Sequence, residues 1–290
     1  MSKRATFRAK LAQKPLTAII GAHNPLGARL AEEAGFDGIW ASGFELSAAM
    51  GVPDASIVTM TQHLEMARAM DAGIGIPVVA DIDTGFGNAT NVIHATRQYE
   101  AAGMAAIVIE DKTFPKDTSL LAGGRQELVR VAEFEGKIAA AAATRRDPDL
   151  LVVARTEALI AGLGQDEALA RARAYEKAGA DAILIHSKQK TPDEIVAFVR
   201  AWDGAIPLVL VPTAYPDLTE ARIRDLGKVK LVIYGNHGVR AITQALTDTF
   251  RRIRADGGVL GVEGAIAPTE RVFAVQGVAR MKQEEERYLR

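Results

Sequence analysis

The sequence predicts an α/β fold, specifically a (β/α)8 barrel, on three observations. Eight short, β-rich apolar runs are spread along the chain, amphipathic stretches separate them, and 290 residues accommodate eight such units in one domain. Strand–helix alternation of this kind implies parallel strands joined by right-handed crossovers. A doubly wound open sheet is the alternative architecture. Hydrophobic content is 48%, enough for a large core.

In chain order the strand candidates are Thr17–Gly21, Gly38–Ala41, Val78–Asp81, Ala106–Glu110, Leu150–Arg155, Ala182–His186, Leu208–Val211 and Leu231–Gly235. The amphipathic stretches are Leu26–Ala34, Thr61–Ala72, Asn91–Ala102, Glu167–Ala178, Pro192–Trp202 and Val239–Ala255. Three links share one layout, in Ala34-Gly35-Phe36-Asp37-Gly38-Ile39, Ala102-Gly103-Met104-Ala105-Ala106-Ile107 and Ala178-Gly179-Ala180-Asp181-Ala182-Ile183. Each is a helix end, a glycine supplying the left-handed cap, a short link and an apolar strand. That turn serves a barrel and an open sheet alike. The pattern changes after Asp256-Gly257-Gly258, and Pro268–Arg290 reads as one or two helices carrying Val272, Phe273, Val275, Val278, Met281 and Leu289. A closed barrel does not need them. The expectation is a single domain over 1–290, with 259–290 a helical extension that covers the barrel bottom or docks on another subunit.

Composition narrows the function. The formal net charge is −1 and no long basic stripe forms, so nucleic acid and anionic membrane are not expected partners. Without cysteine there can be no disulfide, thiolate metal site or catalytic thiol. The basic N-terminus lacks an apolar signal-peptide core and no stretch reaches spanning length, so a cytoplasmic enzyme is the expectation. P-loop, dinucleotide fingerprint, His/Cys zinc spacing and Gly-x-Ser-x-Gly elbow are all missing.

Instead, acids stand at the ends of apolar runs: Asp81 and Asp83 in Val78-Val79-Ala80-Asp81-Ile82-Asp83-Thr84-Gly85-Phe86-Gly87, Glu110 in Ile107-Val108-Ile109-Glu110, and Asp54 after Pro53. Buried strands that finish in acids need neutralisation, and a hard divalent cation with oxygen ligands and retained water is the simplest source. Asp81 and Asp83, two apart, face one way if strand geometry persists past Asp81; a helix cap is the competing role for one of them. Asp54 also reads as a plain turn residue, and Glu110 as an ion-pair partner of Lys112 or Arg155. Arg155 suits a carboxylate or phosphoryl group, or a salt bridge with Glu157 or Glu110. His186 ends Ile183-Leu184-Ile185 and suits an anionic or carbonyl oxygen, or a place in the core. The long segment Lys112–Arg125 reads as a lid hinged at Gly123-Gly124, or as a disordered surface loop.

At these residues the chain resembles the phosphoenolpyruvate mutase/isocitrate lyase superfamily over nearly its whole length. The resemblance is carried by Gly38-Ile39-Trp40-Ala41-Ser42-Gly43-Phe44, Asp81-Ile82-Asp83-Thr84-Gly85-Phe86-Gly87, Glu110-Asp111-Lys112, Phe114-Pro115-Lys116-Asp117-Thr118-Ser119-Leu120 and Ile185-His186-Ser187. It implies a (β/α)8 barrel with Mg²⁺ (Mn²⁺ or Co²⁺ as substitutes) bound directly by Asp81, while Asp54, Asp83 and Glu110 hold its waters. It also implies that Trp40, Ser42, Gly43 and Phe44 line the keto-acid end of the substrate, that Arg155, His186 and Lys188 contact its anionic end, and that Lys116 and Thr118 arrive with the closing loop. A homotetramer built from helix-swapped dimers is implied as well.

Carbon–carbon lyases of the group carry a cysteine in that loop, and this chain has none. The mutases carry asparagine where Thr118 stands, and a shorter hydroxyl suits orienting a water toward phosphorus. The resemblance therefore points to Mg²⁺-dependent hydrolysis of the carbon–phosphorus bond of 3-phosphonopyruvate, giving pyruvate and phosphate, by attack of water or of Asp54. Phosphoenolpyruvate mutase and oxaloacetate decarboxylase chemistry are the enzyme alternatives, and a keto-acid-binding protein is the non-enzyme one. Lys188 is mutase-like where arginine is expected in hydrolases.

Overall fold

A computed structural model describes residues 2–290. Eight parallel strands close into a barrel in sequential order: β1 (Thr17–Ala22), β2 (Gly38–Ala41), β3 (Val78–Asp81), β4 (Ala106–Glu110), β5 (Leu151–Thr156), β6 (Ala182–Ile185), β7 (Leu208–Leu210) and β8 (Val229–Tyr234), with β8 pairing back onto β1. The open-sheet alternative is thereby excluded. All eight expected strands form, with ends shifted by at most two residues. His186 and Val211 fall just past their strands, and β8 begins at Val229.

The helices are α1 (Lys3–Gln13), α2 (Pro25–Glu33), α3 (Gly43–Ala49), α4 (Met60–Gly73), α5 (Ala89–Ala101), α6 (Val131–Thr144), α7 (Gly164–Lys177), α8 (Asp193–Ala201), α9 (Glu220–Asp225), α10 (His237–Asp256), α11 (Thr269–Gln276) and α12 (Val278–Tyr288). Sequence patterning located α2, α4, α5, α7, α8 and α10 and missed α1, α3, α6 and α9. The chain groups into two compact units, one ending at His237 and one running from Gly238 to Arg290. In the second, Phe250, Leu260, Phe273, Met281, Tyr288 and Leu289 are exposed apolar side chains.

Strand alternation sorts the barrel core into two layers. Ile19, Trp40, Val79, Val108, Leu151, Val153, Leu184, Val209, Leu231 and Ile233 fill the interior, joined by Phe7 of α1. Ile39, Val78, Ala80, Ile107, Ile109, Val152, Ala154, Ile183 and Ile185 face the surrounding helices. The same period of two carries the interior face upward along each strand. After Val79 it reaches Asp81, after Val108 Glu110, after Val153 Arg155, after Leu184 His186 and after Ile233 Gly235. Each strand's apolar interior position is thus followed, two residues on, by a residue at the C-terminal mouth.

Candidate active site

A cavity of about 290 Å³ opens at that mouth, lined by Trp40, Ser42, Phe44, Asp54, Asp81, Lys116, Thr118, Ser119, Leu120, Leu121, Arg155, His186, Val211, Thr213, Gly235 and Asn236. A larger cavity of about 730 Å³ lies at the opposite end of the barrel, between α1 and the starts of β5 to β8. No group of acids converges there, and the chemistry of such barrels sits at the strand C-termini.

The acids gather as expected, but around a lysine. Lys116 is buried, and its Nζ lies 2.5 Å from Asp83 Oδ1, 3.2 Å from Glu110 Oε1 and 3.5 Å from Asp54 Oδ1. Burial would lower its pKa, but the surrounding carboxylates of Asp83, Glu110, Asp54 and Asp81 outweigh this and hold the ammonium well above its ordinary range. Burial likewise raises Asp83, yet the Lys116 charge and a hydrogen bond from Ser56 Oγ (2.9 Å) leave it below the usual carboxylate range. Asp54 is raised by burial. Burial pushes Asp81 up to about 6, and its Oδ2 accepts the Gly43 N–H at 3.2 Å.

One expectation is corrected in its reasoning. Strand geometry ends at Asp81, and Asp83 adopts a left-handed φ of 56°. Asp83 reaches the site through a tight turn, not through strand alternation, and the helix-capping role falls to Asn88.

On the other side, Arg155 Nε contacts both Glu157 Oε1 and Glu110 Oε2, so the two salt bridges foreseen for it both form. Glu157 is fully buried. Burial would raise its pKa, but the charges of Arg155 and Lys112 drive it well below the ordinary value. His186 is buried with neither ring nitrogen hydrogen-bonded, and that burial lowers its pKa and keeps the ring neutral. Lys112 pairs with Glu157 at 3.7 Å and donates to Ser119 Oγ at 2.9 Å, so it is not the partner foreseen for Glu110.

The Lys112–Arg125 segment is ordered and folded over the mouth. Ser119 ties it down: its Oγ donates to Glu157 Oε2 at 2.7 Å and accepts from Arg155 Nη2 at 2.9 Å. Gly123 holds a left-handed φ of 72°. Thr118 lines the cavity beside these groups. Ser42 caps α3 by accepting the Glu45 N–H, while Trp40 and Phe44 wall the cavity.

Lys188 departs from expectation. It is not a cavity residue, and its Nζ donates to the Ile160 carbonyl at 2.7 Å.

Sequence reasoning missed the structural weight of Ser119 and the buried pair His23 Nδ1–Glu45 Oε2, 2.9 Å apart. Ser42-Gly43-Phe44-Glu45 is an N-terminal helix signature, and it was the available signal for α3. Glu45 fills the space left by Gly21: a Cβ there would stand 2.7 Å from Glu45 Oε1 and 2.6 Å from the Gly235 carbonyl oxygen.

The donor set suits a hard divalent cation. Asp54, Asp81, Asp83, Glu110 and Glu157 oppose three cations, Lys112, Lys116 and Arg155, leaving two negative charges that one such ion cancels. Both Glu110 carboxylate oxygens are buried and make no hydrogen bond, meeting only the ion-pair contacts of Lys116 and Arg155 at 3.2 and 3.3 Å. Among the described residues no three acids or histidines close on a single point as direct ligands. That arrangement fits an ion holding one carboxylate directly and the rest through water, as Mg²⁺ prefers.

Comparison with known proteins agrees with this geometry. The phosphoenolpyruvate phosphomutase family model matches residues 7–254. The chain is 61% identical over 290 residues to the phosphonopyruvate hydrolase of Variovorax sp. (strain Pal2), covering 100% of both. A crystal structure of phosphonopyruvate hydrolase in complex with oxalate and Mg²⁺ superposes with a TM-score of 0.95 at 59% identity, covering 100% of both chains. That of phosphoenolpyruvate phosphomutase from Streptomyces platensis subsp. rosaceus gives 0.95 at 51%, covering 99% of both.

Proposed function

The chain belongs to the phosphoenolpyruvate phosphomutase family, within the phosphoenolpyruvate mutase/isocitrate lyase superfamily, and on that premise we propose that it hydrolyses 3-phosphonopyruvate to pyruvate and phosphate. The observation that carries the reading is a mouth with two sides: buried acids suited to a divalent ion, and beside them Arg155, His186 and Thr118 in the same cavity. Asp81 would hold Mg²⁺ directly, with Asp54, Asp83 and Glu110 acting through its waters. When bound, the ion supplies Lewis-acid stabilisation of the negative charge that appears on the pyruvyl oxygen.

The protein's own residues do the rest. Trp40, Ser42, Gly43 and Phe44 seat the keto-acid end. Arg155 offers a planar donor fork to the phosphonyl oxygens. His186, kept neutral by burial, donates one ring N–H to the same group. The loop carrying Lys116, Thr118 and Ser119 excludes bulk water and completes the cation side. Displacement at phosphorus then runs through a loose, metaphosphate-like state, in which positioning and charge compensation supply the rate enhancement. Attack comes from a water oriented by the Thr118 hydroxyl or from the Asp54 carboxylate; a covalent phosphoryl-Asp54 species in rapid-quench samples would select the second route. The family's phosphomutases favour one competitor, rearrangement to phosphoenolpyruvate.

Phosphorus NMR of purified protein with phosphonopyruvate and Mg²⁺ separates the readings. Inorganic phosphate is expected, an ester signal would convert the protein to a mutase, and an unchanged substrate would reject both. Thr118→Asn should cut phosphate release by about 100-fold, the scale of a lost positioning donor, and undiminished release would remove Thr118 from the mechanism.

We also propose a homotetramer of helix-swapped dimers. Its support is the set of exposed apolar side chains on the unit from Gly238 to Arg290, which a second copy of the chain would cover. Light scattering should give four times the 31.0 kDa chain mass, and a monomeric mass would discard the assembly.

A further inference from the structure

The wall of the cavity formed after β7 and β8 has no role in the account above. It carries Val211, Thr213, Gly235 and Asn236 and no charged group. Two polar atoms on it are buried without a hydrogen-bond partner, Thr213 Oγ1 and Asn236 Oδ1. Thr213 faces Gly235, the chain neighbour of Asn236: a Cβ on Gly235 would stand 3.7 Å from Thr213 Oγ1 and 3.3 Å from Val211 Cγ1, so an alanine there would crowd this wall. Buried polar atoms of this kind require a partner.

Ionised phosphonopyruvate cannot be the partner of Asn236 Oδ1. Its carboxylate, ketone and phosphonate present acceptors only, and a carbonyl oxygen accepts as well. The group that satisfies Oδ1 must be a donor, and the group that satisfies a hydroxyl can be donor or acceptor. Water meets both demands.

Hydrolysis needs a proton that rearrangement does not. Cleavage of the carbon–phosphorus bond leaves its electron pair on C3 as the pyruvate enolate, while water and the phosphoryl group become dihydrogen phosphate. C3 must then take a proton to give pyruvate. Resting on the hydrolase reading, we propose that Thr213 and Asn236 are positioning residues that hold the water from which C3 of the enolate takes its proton. The new C3–H bond forms with the enolate electron pair as one O–H bond of that water breaks. The hydroxide left behind recovers a proton from dihydrogen phosphate, so the products are pyruvate, monohydrogen phosphate and the restored water.

The reverse step gives the test. A site that protonates the enolate also removes a methyl proton from pyruvate. Wild-type protein with pyruvate, phosphate and Mg²⁺ in D₂O should exchange the methyl hydrogens, read by proton NMR. Thr213→Val, which keeps the shape and removes the hydroxyl, should slow exchange by about 100-fold, the scale of a lost proton-transfer partner. Thr213→Ser should restore most of it, and Gly235→Ala should slow it by crowding Val211 and Thr213. Absence of exchange by wild type, or equal exchange by the valine variant with normal melting behaviour, overturns the proposal. Phosphate release from phosphonopyruvate without exchange sinks this inference alone, whereas absence of phosphate release sinks the hydrolase reading beneath it.

Discussion

Asp81→Asn is expected to lower kcat/KM for phosphonopyruvate by about a thousandfold, the loss typical when a principal electrostatic element of a site is removed. The substitution is nearly isosteric. The side-chain oxygen that accepts the Gly43 N–H is retained, so the link between the ends of β2 and β3 survives. What changes is charge. The site goes from two negative charges to one, and the carboxylate proposed to meet the ion directly becomes an amide.

Mg²⁺ affinity, measured by calorimetry without substrate, should fall by at least about 100-fold, since loss of even an outer partner of a metal ligand costs 10–100-fold. Stability should move the other way. Burial pushes the Asp81 carboxyl up to about 6, which means the charged form is disfavoured where it sits. Neutralising it removes that penalty, and the metal-free variant should melt at or above the wild-type temperature. A variant that melts lower has lost packing, and its kinetics would then say nothing about the ion. A variant that folds normally and binds Mg²⁺ as tightly as wild type would show that Asp81 is not the ligand.

The features most legible in the sequence were those with a short period. Interior and exterior positions alternate along each strand, so a run such as Val79, Asp81 or Val153, Arg155 announces both the strand and the residue its end presents at the mouth. The barrel and most of the mouth were readable for that reason. Helices without a clear apolar stripe were not. In α1 only Phe7 is buried, among lysines and arginines, and α9 is a six-residue turn with Ile223 alone buried. In α6 a run of alanines and Gly136 blurs the period, although Phe134, Ile138 and Ala141 are buried along one side.

Asp83 stands beside Lys116 with the other acids, but through a left-handed turn after β3, not through strand alternation. Ser119, Lys188 and the destination of Lys116 are long-range facts. Lys116 meets Asp83 from 33 residues away and Asp54 from 62, and no local pattern encodes such encounters. The sequence placed Lys116 on a long loop read as a lid or as a surface loop. It could not say that this loop delivers a cation into the middle of the acid cluster.

That delivery makes the second large effect. Lys116→Met should abolish most turnover, by about a thousandfold on the scale of a removed charge-stabilising group, and should at the same time tighten Mg²⁺ binding. Methionine fills nearly the same volume without the ammonium. The acids then carry three net negative charges, and an arriving divalent ion no longer shares Asp83, Glu110 and Asp54 with a lysine only 2.5 to 3.5 Å away. Coulomb attraction at such distances in a partly screened site is several kcal/mol. Solvent and lid rearrangement offset much of it, so a gain in affinity of about tenfold is the conservative expectation. Without metal the variant should be weakened, because removing one partner from a buried ion cluster leaves uncompensated charge and costs about 3–5 kcal/mol. Saturating Mg²⁺ should recover most of that loss by binding the folded state alone. Activity and metal affinity thus separate in opposite directions. If affinity instead falls with activity, Lys116 supports the ion's site as a whole and does not compete for its carboxylates; if both are unchanged, the lid does not bring this ammonium to the acids in solution.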